Sequence, residues 1–96
     1  MLVGLDVPPD LEWLLAMGMS REDAGELQPQ TPGSFTLPNA YYVNTGTARA
    51  VYRGTEEGTL PPTVGRWYLI PSDVALRYPA LGADAVPVAR ARLATR

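Results

Sequence analysis

Residues 40–53 read Ala40-Tyr41-Tyr42-Val43-Asn44-Thr45-Gly46-Thr47-Ala48-Arg49-Ala50-Val51-Tyr52-Arg53. Aromatic and β-branched residues crowd both ends of this stretch, with Asn44-Thr45-Gly46 between them. The pattern predicts strands over 40–43 and 47–53. The Asn-Thr-Gly link predicts a three-residue hairpin loop with Gly46 in the left-handed region. Residues 35–37 and 66–70 read as further strands, and Glu56-Glu57-Gly58 is expected to repeat the loop device. Pro61-Pro62 breaks the ladder because proline has no amide to donate, so any strand there is an edge or a linker.

Two short helices precede this β-rich stretch. Pro8 and Pro9 suit a helix start, where a missing N–H costs nothing, and Asp10 and Glu12 favour the positive end of the dipole. Leu11, Leu14 and Leu15 follow helical spacing, Trp13 and Met17 widen the apolar face, and Gly18 is a natural stop. Ser20 to Asp23 reads as an N-cap with an acid at the third position, a capping-box variant. The second helix is short, because Pro29 and Pro32-Gly33 end it. The loop over 28–34 is the one internal boundary expected. Downstream, Pro71-Ser72-Asp73 is expected to cap a short helix with Val74, Ala75, Tyr78 and Leu81 on its core face. Pro79 disturbs its end and Gly82 closes it. Residues 85–93 read as a last strand. The fold class expected is α+β: a short N-terminal helical hairpin, then a small, mainly antiparallel β-sheet or barrel with one short C-terminal helix. It forms a single domain over 1–96, with a helical head at 1–28 and a β-rich body at 34–96.

The composition narrows function by what it lacks. A chain of 96 residues buries roughly 60–70% of its unfolded surface, enough for one modest core. There is no cysteine, histidine or lysine, so thiolate chemistry, zinc–thiolate clusters and the commonest general bases are excluded. Carboxylates remain, but the N-terminal acids lie on a helical surface and Glu56-Glu57 in a predicted turn. No glycine pattern has phosphate-loop spacing, and no acid cluster matches a calcium loop. The expectation is a non-enzymatic chain with no cofactor and no metal. No apolar run approaches the roughly 20 residues that cross a bilayer. Residues 1–6 have no basic region of the signal-peptide kind. Neither membrane insertion nor a signal peptide is expected.

Charge is unevenly placed. Residues 1–26 carry six acids against Arg21 alone, a net of about −5, while residues 27–96 carry seven arginines against four acids, about +3. Sign asymmetry of this kind points to an interface. Tyr41, Tyr42, Arg49, Tyr52, Arg53, Arg66, Trp67 and Tyr68 lie on neighbouring predicted strands, and such faces can stack bases. Strands normally turn aromatics inward and arginines outward, and the pI of about 4.9 opposes phosphate binding, so nucleic acid is disfavoured as a partner. In the tail, Arg90, Arg92 and Arg96 share one face of an extended chain, with Ala91 and Leu93 on the other. One reading is a solvated terminus. The other is an arm that docks on the acidic head of the next copy. Candidate protein-interface residues are Trp13, Met17 and Met19 on the head and Arg90, Arg92 and Arg96 on the tail, since Trp and Arg are preferred anchors.

Two stretches resemble known families. Leu14 and Leu15 followed by Met17-Gly18-Met19-Ser20-Arg21-Glu22-Asp23-Ala24 resemble the first turn of a ubiquitin-associated domain. That resemblance implies a ubiquitin-contacting loop at Met17, Gly18 and Met19. It covers residues 11–27 only, Met19 replaces the aromatic, and no third helix follows; a helix–glycine–N-cap–helix junction is the plainer reading. Residues 65–75, Gly-Arg-Trp-Tyr-Leu-Ile-Pro-Ser-Asp-Val-Ala, followed by Leu-Gly-Ala-Asp-Ala-Val-Pro-Val at 81–88, resemble a module of small bacteriophage virion and head-region accessory proteins. The all-arginine basic set fits a GC-rich genome or a phage of such a host. The resemblance implies a structural or assembly protein, of capsid-decoration or head-completion type, whose partners are copies of itself or a larger shell or tail protein. Its expected location is the virion or the cytoplasm. The alternative is a small inhibitor or regulator of a host enzyme, and a nucleic-acid module ranks below both.

Overall fold

The structure, a computed structural model, describes residues 7–46, 49–55, 58–62 and 64–88. In chain order it contains a 3-10 turn at Pro9–Leu11, α1 (Glu12–Ala16), α2 (Arg21–Ala24), β1 (Gln28–Gln30), β2 (Phe35–Thr36), β3 (Tyr41–Asn44), β4 (Ala50–Gly54), β5 (Gly58–Thr59), β6 (Trp67–Ile70), α3 (Ser72–Arg77), α4 (Pro79–Ala83) and β7 (Val86–Val88). The main sheet has five strands in the order β1-β6-β3-β4-β7, and β2 pairs with β5 in a separate ribbon. The α+β class is as expected, with a mainly antiparallel sheet. The C-terminal helical segment is split at Tyr78 into two short helices.

The β3–β4 hairpin sits inside the sheet, with Tyr42 opposite Tyr52 and Val43 opposite Val51. Alternation sends Tyr42 and Val43 to opposite faces. On one face Val43, Val51, Tyr68 and Ile70 pack with helical residues Leu11, Leu14, Ala24, Val74 and Leu81. The head and the body therefore share one core. On the other face Tyr42, Trp67 and Val88 pack with Leu60. There Leu37 N donates to Tyr42 Oη at 2.9 Å and Trp67 Nε1 donates to the Pro61 carbonyl at 3.0 Å, which holds the segments flanking the β2–β5 ribbon over this face. Fully burying each of Leu11 and Leu14, both at 0% exposure, is worth roughly 1.5–3 kcal/mol.

Several local expectations change in the folded chain. The β3–β4 connection spans 45–49, because Asn44 pairs with Ala50. Arg49, at φ 48°, takes the left-handed position expected at Gly46. Gly46 serves close approach instead: a Cβ there would collide with the Val64 carbonyl. Gly58 opens β5 and pairs with Thr36, so no hairpin joins β4 to β5; Glu56 and Glu57 lie outside the described residues. Residues 28–30, expected as loop, form an edge strand on β6. No side chain caps α3: Pro71 is the N-cap and Ser72 the first helical residue. Gly82 lies inside α4 and does not close it. The last strand, expected over 85–93, is Val86–Val88 as far as the described residues run.

The last strand is also parallel to its neighbour β4. A parallel return needs a crossover, and α3 and α4 supply it between β6 and β7. Both edge strands carry a central proline, Pro29 and Pro87. Each removes an amide donor from a sheet edge, which opposes pairing with another chain.

Candidate functional site

The head begins with a helix that ends by glycine. Gly18 adopts φ 106°, its amide donates to the Leu15 carbonyl at 3.1 Å, and the Met19 amide donates to the Leu14 carbonyl at 3.1 Å. This is a Schellman ending, and Met19 and Leu14, the positions of its usual apolar contact, are both buried in one core cluster. Ser20 then caps α2 by accepting the Asp23 amide at 3.1 Å. In a capping box the acid at the third position accepts the amide of the N-cap residue. Here Tyr78 occupies that place. Its hydroxyl accepts the Ser20 amide at 3.0 Å and donates to Asp23 Oδ2 at 2.6 Å.

Tyr78 reaches the head because the chain turns at it. Pro79 bars its predecessor from helical geometry, and Tyr78 adopts φ −131°, ψ 69° between α3 and α4. The preceding residue joins the same group: Arg77 Nη1 donates to Asp23 Oδ1 at 2.5 Å, and Arg77 Nη2 lies 3.8 Å from Asp73. Asp23 is only 7% exposed. The Tyr78 hydrogen bond lowers its pKa most; Ser20 and Arg77 add to this, and burial opposes it.

Between the head and this elbow lies an apolar groove of about 470 Å³. Leu14, Met19 and Leu81 form its buried floor, and Tyr78 and Pro79 its wall. Met17, 53% exposed, stands at the rim with Arg77 and Asp84. Two further grooves flank Leu76, which is 81% exposed, but no charged residue among the described ones lines either. Protein-family models, curated proteins and solved structures offer no match to this chain.

The interface candidates separate in the fold. Met17 presents its side chain to solvent, whereas Met19 is 4% exposed and belongs to the floor. Burial of Met19 removes it from the solvent-facing loop that a ubiquitin-associated resemblance implies. Trp13 is half-buried against the core, and its buried Nε1 has no hydrogen-bond partner among the described residues. Arg90, Arg92 and Arg96 lie outside the described residues. Tyr78, Pro79, Leu81 and Asp84 carry no local interface pattern; the local mark of the elbow is the Tyr78-Pro79 dipeptide, because proline disfavours helical geometry in its predecessor.

The arginine–aromatic group does not gather on one surface. Tyr42, Tyr52 and Trp67 share one sheet face, with the Tyr52 and Trp67 rings 5.3 Å apart at 56°. Tyr41 and Tyr68 pack on the other, and Arg53 pairs with Tyr41 across β3 and β4. Arg49 and Arg66 are exposed beyond the strand ends. No helix among the described residues is long and apolar enough to cross a membrane.

Proposed function

We propose that this chain is a non-enzymatic assembly protein, a bacteriophage virion component of capsid-decoration or head-completion type, acting through protein–protein contacts. One observation carries the reading: an apolar groove with an exposed methionine and a charged rim lies where the two halves of the chain meet. Apolar pockets with a few placed polar groups are the usual seats of binding partners. The proline-bearing sheet edges favour side-chain docking in a groove over strand addition. The virion assignment draws on the resemblance of residues 65–88 and on the arginine-only basic set.

The test is binding to purified virion shell and tail proteins, with Met17→Arg as the comparison. Binding that falls about tenfold or more in the variant, a loss of roughly 1.4 kcal/mol, supports the reading. A monomer at high concentration that binds no virion component overturns it. Recovery of a stoichiometric host enzyme in its place turns the reading toward the inhibitor.

A further inference from the structure

We infer that the groove between α1 and the α3–α4 elbow seats the basic C-terminal segment, residues 90–96, of a second copy of this chain. The inference rests on the assembly role and names the partner of that same groove.

Charge selects the occupant. Among the described residues one arginine lines the groove, Arg77, and it is already engaged by Asp23 and Asp73. Asp84, exposed on the rim, makes no ion pair among the described residues, and the same holds for Glu22 and Glu26 on the head. With Arg77 facing two acids and Asp84 unpaired among the described residues, the groove rim carries surplus negative charge and favours a basic partner. Residues 90–96 carry Arg90, Arg92 and Arg96, no acid, and one large apolar residue, Leu93. Leu93 suits the floor of Leu14, Met19 and Leu81, and the arginines suit Asp84 and the acids around Arg77. Among the described residues, the two grooves beside Leu76 offer no such charge.

The segment comes from a neighbour. β7 carries the chain away from Asp84, at about 3.3 Å per residue. A return to the same groove needs a chain reversal directly after the strand, and a neighbouring copy needs none. Each chain then holds one seat and one segment, a head-to-tail arrangement that closes into rings or extends as arrays.

Sedimentation of the full chain tests this. The chain is expected to associate with rising concentration, and salt is expected to weaken the association. Asp84→Arg spoils the seat; Arg90→Ala, Arg92→Ala and Arg96→Ala together spoil the segment without creating a charge that an arginine seat would attract. Each variant alone is expected to stay monomeric with an unchanged melting temperature. Mixed, they form a discrete one-to-one dimer, because one keeps its seat and the other its segment. A wild-type monomer at every concentration, a mixture that yields no dimer, or a triple-Ala variant that assembles like the wild type overturns the inference. A monomeric wild type that still binds a virion component through the groove overturns this inference alone. Failure of both assays overturns the assembly role as well.

Discussion

The Tyr78 hydroxyl donates to the Asp23 carboxylate at 2.6 Å, joining residues 55 positions apart. That bond places a side chain of the C-terminal elbow inside the cap of an N-terminal helix. The same hydroxyl accepts the Ser20 amide, so one phenol satisfies both polar groups that a local capping box pairs directly.

Tyr78→Phe removes a donor to a buried carboxylate and an acceptor for a helix-end amide. The expected loss of stability is about 1–3 kcal/mol. Urea unfolding checks it: the midpoint falls while the slope stays constant.

The lowered pKa of Asp23 has a direction in pH. Its contribution to stability is complete above the ordinary carboxylate value of 3.8, and it is lost as pH falls from there through the depressed folded value. Melting temperatures followed from neutral pH into this acid range are expected to drop. In Asp23→Asn the starting stability is lower and the part of the drop due to this group is absent.

Gly18 and Gly54 resist substitution for different reasons. A Cβ at Gly18 meets nothing within 4 Å, so Gly18→Ala is opposed by its φ of 106° alone, about 1–2 kcal/mol. Gly18→Asn is expected to recover part of that loss, since Asn tolerates the left-handed region. At Gly54 no such φ applies, but a Cβ would sit 2.6 Å from the Leu37 carbonyl. Gly54→Ala and Gly54→Asn are both expected to destabilise, with no rescue by Asn. Thermal melts of the four variants separate the two mechanisms.

Pro29→Val with Pro87→Val restores an amide at the centre of both sheet edges. The double variant is expected to aggregate through its edges at concentrations where the parent chain does not. Light scattering on concentrated samples, with β-specific infrared bands, checks this.

Much of the head was legible before folding because its signals act within a turn or two. Pro8 and Pro9 start the helix, Gly18 ends it and Ser20 caps the next one. Strands β3, β4 and β6 were readable from their aromatic and β-branched content. Gln28–Gln30 was not, because Gln-Pro-Gln has no strand signature; its pairing comes from the free edge of β6. Gly46 suggested the left-handed residue of a local hairpin loop, and Gly82 a local helix stop. Instead they meet Val64 and Tyr41 from distant parts of the chain, contacts that no local pattern contains.

The candidate site divides the same way. Met17 and Met19 stood out in the sequence, yet which of them meets solvent depended on the Schellman ending and the burial of Met19 in the core cluster that holds Leu14. Tyr78 and Pro79 became the wall of a groove, Leu81 part of its floor and Asp84 part of its rim only when the elbow docked on the head.

The sequence by itself determined the helix ends, the strand-rich centre, the surplus acid of the head and the absence of cysteine, histidine and lysine, because backbone preferences and composition are local properties. Only the tertiary structure decided that Tyr78 completes the cap of α2, that β7 returns parallel to β4 and that a groove opens beside Met17. Those outcomes depend on which apolar faces bury one another, and burial joins residues without regard to their separation along the chain.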